Sequence, residues 1–275
     1  MKRNTLSRRS FLASSLAAAG ASGASGILRA ADETTEAALP PAREYYELTL
    51  YHLRRGPKQK IFDAFMRQAA IPALNRAGIG PVGVFNVMTG PDNPTAYVLL
   101  PLKSPDGILA AQHRILADPD FQTAGNEFLA ASPDSPGFVR AESSFMIAFE
   151  GMPKLEIPAA TEGNKPRIFE LRTYESHGRR ANIKKIEMFN NWEIALFRRT
   201  GLAPVFFGET LVGQRLPNLT YMLTFENMAA HDANWATFAS DPEWKKLSSM
   251  PGYTDPEIVS NISNVFLRPA PYSQI

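Results

Sequence analysis

The chain carries the same strand twice. YYELTLYH runs from Tyr45 to His52 and IFELRTYE from Ile168 to Glu175, and the 123 positions between their starts form a period that holds far beyond the strand. The same shift places Gly78 on Gly201, Pro81 on Pro204, Asp118-Pro119 on Asp241-Pro242, and Phe121 on Trp244. One offset that survives from a strand to a distant turn marks a tandem duplication, and each copy must bury its apolar face against something.

Within each copy the periodicity alternates between strand and helix. Copy one reads as a strand over 45–53, a helix over 58–70, strands over 82–88 and 96–102, a helix over 106–117 and a last strand over 143–149. Copy two repeats the order with strands over 167–175, 205–212, 219–225 and 263–267 and helices over 182–200 and 228–239. Strand, helix, strand, strand, helix, strand is the ferredoxin-like split βαβ unit, so the fold class expected is α+β with two such units, 43–150 and 167–270. Residues 151–166 read as the linker.

Successive strand residues point to opposite faces. Tyr46, Leu48 and Leu50 therefore oppose Tyr45, Glu47, Thr49 and Tyr51, and Phe169 and Leu171 oppose Ile168, Glu170, Arg172 and Tyr174. The more apolar set is expected under the helices. The mixed set is then expected between the two sheets, enclosing Glu47, Tyr51, Glu170, Arg172 and Tyr174 as candidate ligand-orienting groups. Glu209, which the offset places on Asn86, is a further candidate on a cavity-facing strand. A carboxylate buried without a partner costs several kcal/mol, about the value at which proteins rarely tolerate it, and Arg172 is the nearest cation for Glu170.

Composition narrows the chemistry. Residues 1–30 hold Lys2, Arg3, Arg8, Arg9 and Arg29 and no acid, which leaves 24 basic against 27 acidic residues in the rest. That balance, with no basic stripe, argues against a nucleic-acid binder. The chain has no cysteine, so disulfides, thiolate metal sites and a cysteine nucleophile are excluded. No HExxH, GxSxG, GxGxxG or GxxxxGK[ST] motif is present in the region after residue 31, and no metal site is expected.

SRRSFL, from Ser7 to Leu12, precedes a mildly apolar run rich in Ala, Ser and Gly that ends near Leu28. Paired arginines before such a run form the pattern of a twin-arginine export signal, here over 1–31, and imply a periplasmic or secreted protein with no membrane span after processing.

YELTLY, FELRTY, GLAPV and the stretch TYMLTFENMAAHDANWATFASDPEW together resemble the NIPSNAP family over nearly all of 44–270. The resemblance implies a dimeric α/β-barrel arrangement and a possible homodimer, and it brings no common catalytic residues. Binding of a small apolar ligand or a protein partner between the sheets is the expectation that follows. The alternative is an enzyme like the haem proteins or cofactor-independent monooxygenases of the same superfamily. Haem would then be the cofactor in question, with His231 and His177 as candidate ligands.

Overall fold

The computed structural model describes residues 42–90, 93–159 and 165–275; the export signal expected over 1–31 lies outside them. Copy one contains β1 (Tyr45–His52), α1 (Pro57–Phe65), α2 (Ile71–Arg76), β2 (Gly83–Val87), β3 (Thr95–Leu102), α3 (Gly107–Leu116), α4 (Pro119–Leu129) and β4 (Arg140–Ala148). Copy two contains β5 (Ile168–Glu175), α5 (Arg179–Met188), α6 (Ile194–Arg199), β6 (Ala203–Val212), β7 (Asn218–Phe225), α7 (Met228–Ser240), α8 (Pro242–Ser248), α9 (Asp255–Ile258) and β8 (Asn261–Pro269). None of these helices is long and apolar enough to cross a membrane.

The strands close into one barrel in the order β1-β3-β2-β8-β5-β7-β6-β4. Two seams join the copies. Phe85–Val87 of β2 pair with Leu267–Pro269 of β8, and Phe145–Ala148 of β4 pair with β6 around Gly208–Val212, all antiparallel. Closure occurs within one chain, so no second chain is needed to complete the sheet. It also removes most of the open strand edges that two separate units would expose.

Caps repeat with the strands. Asp118 accepts from the Asp120 and Phe121 amides at the start of α4, and Asp241 accepts from Glu243 and Trp244 at the start of α8; a proline follows each at the first helical position. Arg76 reaches Asp118 at 2.8 Å and Arg199 reaches Asp241 at 2.9 Å, so cap and arginine were duplicated together. Gly78 and Gly201 close the preceding helices at φ 84° and 85°. There Ile79 donates to the Leu74 carbonyl and Leu202 to that of Phe197, a Schellman stop that a β-carbon would strain.

Both first helices contain one π-helical turn, Met66–Ala70 between α1 and α2 and Phe189–Glu193 between α5 and α6. The 123-residue shift superposes them.

Three apolar clusters fill the molecule. One fills the lumen with Tyr46, Leu48, Phe85, Leu99, Met146, Phe169, Leu171, Phe206 and Met222. The other two lie between the outer wall and the helices of each copy. The sequence expectation for the faces is therefore reversed: the more apolar set of β1 and β5 points into the lumen, and the mixed set meets the helices. A lumen walled by eight strands offers few side-chain partners to a polar group, whereas a covering helix can present an indole or imidazole to it.

Candidate functional site

Of the residues singled out in copy two, Glu170, Arg172 and Tyr174 come together, although under the helices and not between the sheets. Glu170 is fully buried. Its carboxylate accepts from Arg172 at 2.8 Å, from the Trp235 indole N–H at 2.9 Å and from the Asn264 amide at 2.9 Å. These come from β5 itself, from α7 and from the neighbouring β8. Arg172 stacks on Trp235, its Cζ 4.7 Å from a ring centroid, and a second guanidinium N–H points toward the Tyr174 hydroxyl at 3.4 Å. The Tyr221 hydroxyl donates to that of Tyr174 at 3.1 Å. Against the desolvation that would lower it, Tyr221, Tyr174 and Glu170 hold the Arg172 guanidinium above its ordinary value. Burial pushes the Tyr221 phenol well up.

A second ion pair, missed in the sequence, adjoins this one. Lys185 on α5 donates to Glu193 at 2.8 Å, and both are buried. Eight residues apart, they meet because the π turn between them resets the helical face. Desolvation works against the Lys185 ammonium, but Glu193, Tyr174 and Asp255 outweigh it and raise it. Its Nζ also lies over the rings of Phe189, Tyr174 and Trp244 at 5.2 Å, 5.5 Å and 5.8 Å. The signal was available in the offset: the corresponding residues of copy one are Phe62 and Ala70, so copy two places charge where copy one has apolar side chains.

Copy one keeps the glutamate and loses its cation. Glu47 lies under the helices with only the hydroxyls of Ser143 at 3.3 Å and Thr49 at 3.4 Å near its carboxylate. Burial raises its pKa, and the two hydroxyls oppose the rise. Tyr51 packs against Phe62 and Phe138. Glu209 also faces outward, paired with Arg179 at the start of α5, while its neighbours Gly208 and Thr210 face the lumen. None of these three shares a site with Glu170.

The histidines do not fit a haem. His231 Nδ1 lies 2.8 Å from Asp232, and Nε2 lies 3.3 Å from Glu170 but off the hydrogen-bonding direction. Both ring nitrogens therefore face carboxylates, and Phe225 and Phe266 pack the ring edge-on between them. His177 is exposed in the turn after β5.

A cavity of about 310 Å³ occupies one end of the lumen. Its floor is Leu48, Met146 and Leu171, and its wall carries hydroxyls from Ser144, Thr173, Thr210, Thr220 and Ser263. At this end the wall parts: β4 pairs with β6 only from Phe145 onward, and β8 with β2 only from Leu267 onward.

The NIPSNAP family model matches residues 46–147 and 169–274. No curated protein matches the chain. Among solved structures, a candidate monooxygenase from Fusobacterium nucleatum is 10% identical with a TM-score of 0.52, covering 83% of this chain and 93% of its own. A candidate monooxygenase from Lactobacillus acidophilus is 8% identical with a TM-score of 0.53, covering 82% and 93%. A NIPSNAP-like domain protein from Burkholderia xenovorans is 19% identical, with a TM-score of 0.36 over 40% of this chain and 90% of its own. At these identities the first two likenesses show the fold alone.

Removing one partner of a buried pair strands the other. Arg172→Met should lower unfolding stability by about 3–5 kcal/mol in urea, and the double change Glu170→Gln with Arg172→Met should recover part of it. An unchanged midpoint for Arg172→Met would show that the pair is not structural. Glu47 behaves oppositely. Its raised carboxyl contributes stability that is complete below about pH 4 and is lost as pH rises through the raised value. Glu47→Gln should therefore be more stable than the parent at pH 7, with the gap closing toward pH 4. Parallel stability curves for the two proteins across that window would contradict this.

Proposed function

The chain belongs to the NIPSNAP family, and on that premise we propose that it is a binding protein whose lumen cavity takes a small molecule with an apolar body and a hydrogen-bonding end. The observation that carries this reading is the 310 Å³ cavity, which falls at the lower end of the range of small-molecule sites, roughly 300–1,000 Å³. Its apolar floor suits a hydrocarbon or aromatic body. Three of its hydroxyls are already paired with neutral neighbours, Thr173 with Thr220 at 3.0 Å and Thr210 with Asn218 at 2.6 Å, so a ligand would exchange one neutral hydrogen bond for another there at little cost. The parted wall supplies a route in.

The candidate groups Glu170, Arg172 and Tyr174 do not orient that ligand. Their polar atoms are spent on one another and on α7, which gives them a structural role. The oxygenase alternative draws on the fold shared with two candidate monooxygenases and on the paired phenols of Tyr174 and Tyr221. It has less behind it, because those phenols lie in a packed layer and not beside the lumen cavity. A protein partner at the barrel mouth is the other occupant this reading allows. Export by the twin-arginine route belongs to the same reading and rests on SRRSFL. So does association of two closed barrels into a homodimer, which rests on the habit of the superfamily.

Thr173→Phe places a ring in the cavity and leaves the apolar floor intact. The uncharged dye N-phenyl-1-naphthylamine should brighten with the parent protein and bind at least tenfold more weakly to Thr173→Phe at an unchanged melting temperature. Equal binding by both would place the dye elsewhere and remove the lumen as the site.

A further inference from the structure

A second concavity lies on the outer wall, where the start of β5, the end of β8 and the start of α7 meet. It is a groove of about 700 Å³, and its charged lining is Lys165, Arg167 and Arg268 against the single carboxylate of Glu226. The side chains of Lys165 and Arg268 are exposed and make no hydrogen bond or ion pair among the described residues. Arg167 is half-buried. It donates to the main-chain oxygens of Ile275 at 3.0 Å and Lys165 at 3.3 Å, its Nε is buried without a partner, and burial lowers its pKa. Lys165 and Arg268 are thus two cations without an ion-pair partner among the described residues, with Arg167 beside them and Glu226 the one carboxylate in the described lining.

The remaining lining is apolar. Met88, Ile168, Met228, Pro269 and Pro271 form it, and Met228 is an exposed large side chain at the first position of α7. Methionine adapts its shape to varied apolar partners. Positive charge at one side and a yielding apolar surface at the other are the complement of an amphiphile.

We propose that this groove binds a small molecule with a carboxylate or phosphate head and an apolar chain, the head held between Arg167 and Arg268 with Lys165 beside it. Arginine forks suit both heads, since each offers oxygens to parallel N–H donors. The start of α7 adds a favourable dipole for the same charge. Copy one has no counterpart of it among the described residues. At the position equivalent to Arg167, copy one has Glu44, whose carboxylate accepts the Leu155 amide of the linker at 2.8 Å.

Titration calorimetry on the full chain, with dodecanoate, dodecyl phosphate and dodecanol below their micelle concentrations, tests the proposal. At least one of the two anions should bind, dodecanol should bind at least tenfold more weakly, and the relative strength of the anions assigns the head. Lys165→Glu with Arg268→Glu, both exposed, should weaken the anion at least tenfold at an unchanged melting temperature. Thr173→Phe, with the lumen blocked, should leave anion binding as it is. Dodecanol binding as tightly as the anions, no effect of the charge reversals, or loss of anion binding in Thr173→Phe would each overturn it; the last would place the anion in the lumen instead.

Discussion

One lumen shared by two copies is the constraint on which the other features depend. Tyr46 of copy one lies against Phe206 of copy two, with ring centroids 5.1 Å apart, and Phe85 against Phe169 at 4.8 Å. Neither copy could keep these rings dry alone. Large aromatic side chains each bury on the order of 150–250 Å², so separating the copies would return a considerable apolar area to water. Closure therefore drives the strongest apolar residues of β1 and β5 inward and leaves their polar neighbours to be satisfied by helices.

Within that shared frame the copies have diverged in how the helix layer is held. Copy one packs Phe62 and Ala70 where copy two sets Lys185 and Glu193, and it has Thr49 where copy two has Arg172. A buried ion pair is not a stronger fastener than well-packed hydrocarbon of the same volume, because the desolvation of both charges offsets most of their attraction. What it adds is a geometric requirement: Glu170, Arg172, Trp235 and Asn264 satisfy one another only in one relative placement of β5, β8 and α7. Copy one, held mainly by apolar packing and with Glu47 bonded by two hydroxyls and no cation, lacks that requirement.

The duplication and the succession of strands and helices along the chain were legible because they rest on periodicity and on a repeated offset, whereas the barrel was expected from the family resemblance. The faces were not. Alternation shows that Glu170 and Phe169 oppose each other, but which side is covered depends on whether the sheet closes, a property of eight strands and not of one. The offset shows Lys185 and Glu193 as charges where copy one has Phe62 and Ala70, but not that they meet: at eight residues' separation a regular helix turns the two side chains about 80° apart, and the π turn that corrects this leaves no composition signature. The lumen cavity is set by where β4 and β8 lose their pairing partners, so its hydroxyls, scattered over five strands, form no motif.

The three tryptophans, Trp192, Trp235 and Trp244, all belong to copy two, which gives a direct test of the shared lumen. Guanidinium unfolding followed by tryptophan fluorescence reports copy two, and far-ultraviolet circular dichroism reports both. If the two copies depend on one core, the transitions coincide in midpoint and slope. A dichroism signal that persists, or disappears, in a separate step from the fluorescence would show that the copies fold independently and would contradict the account.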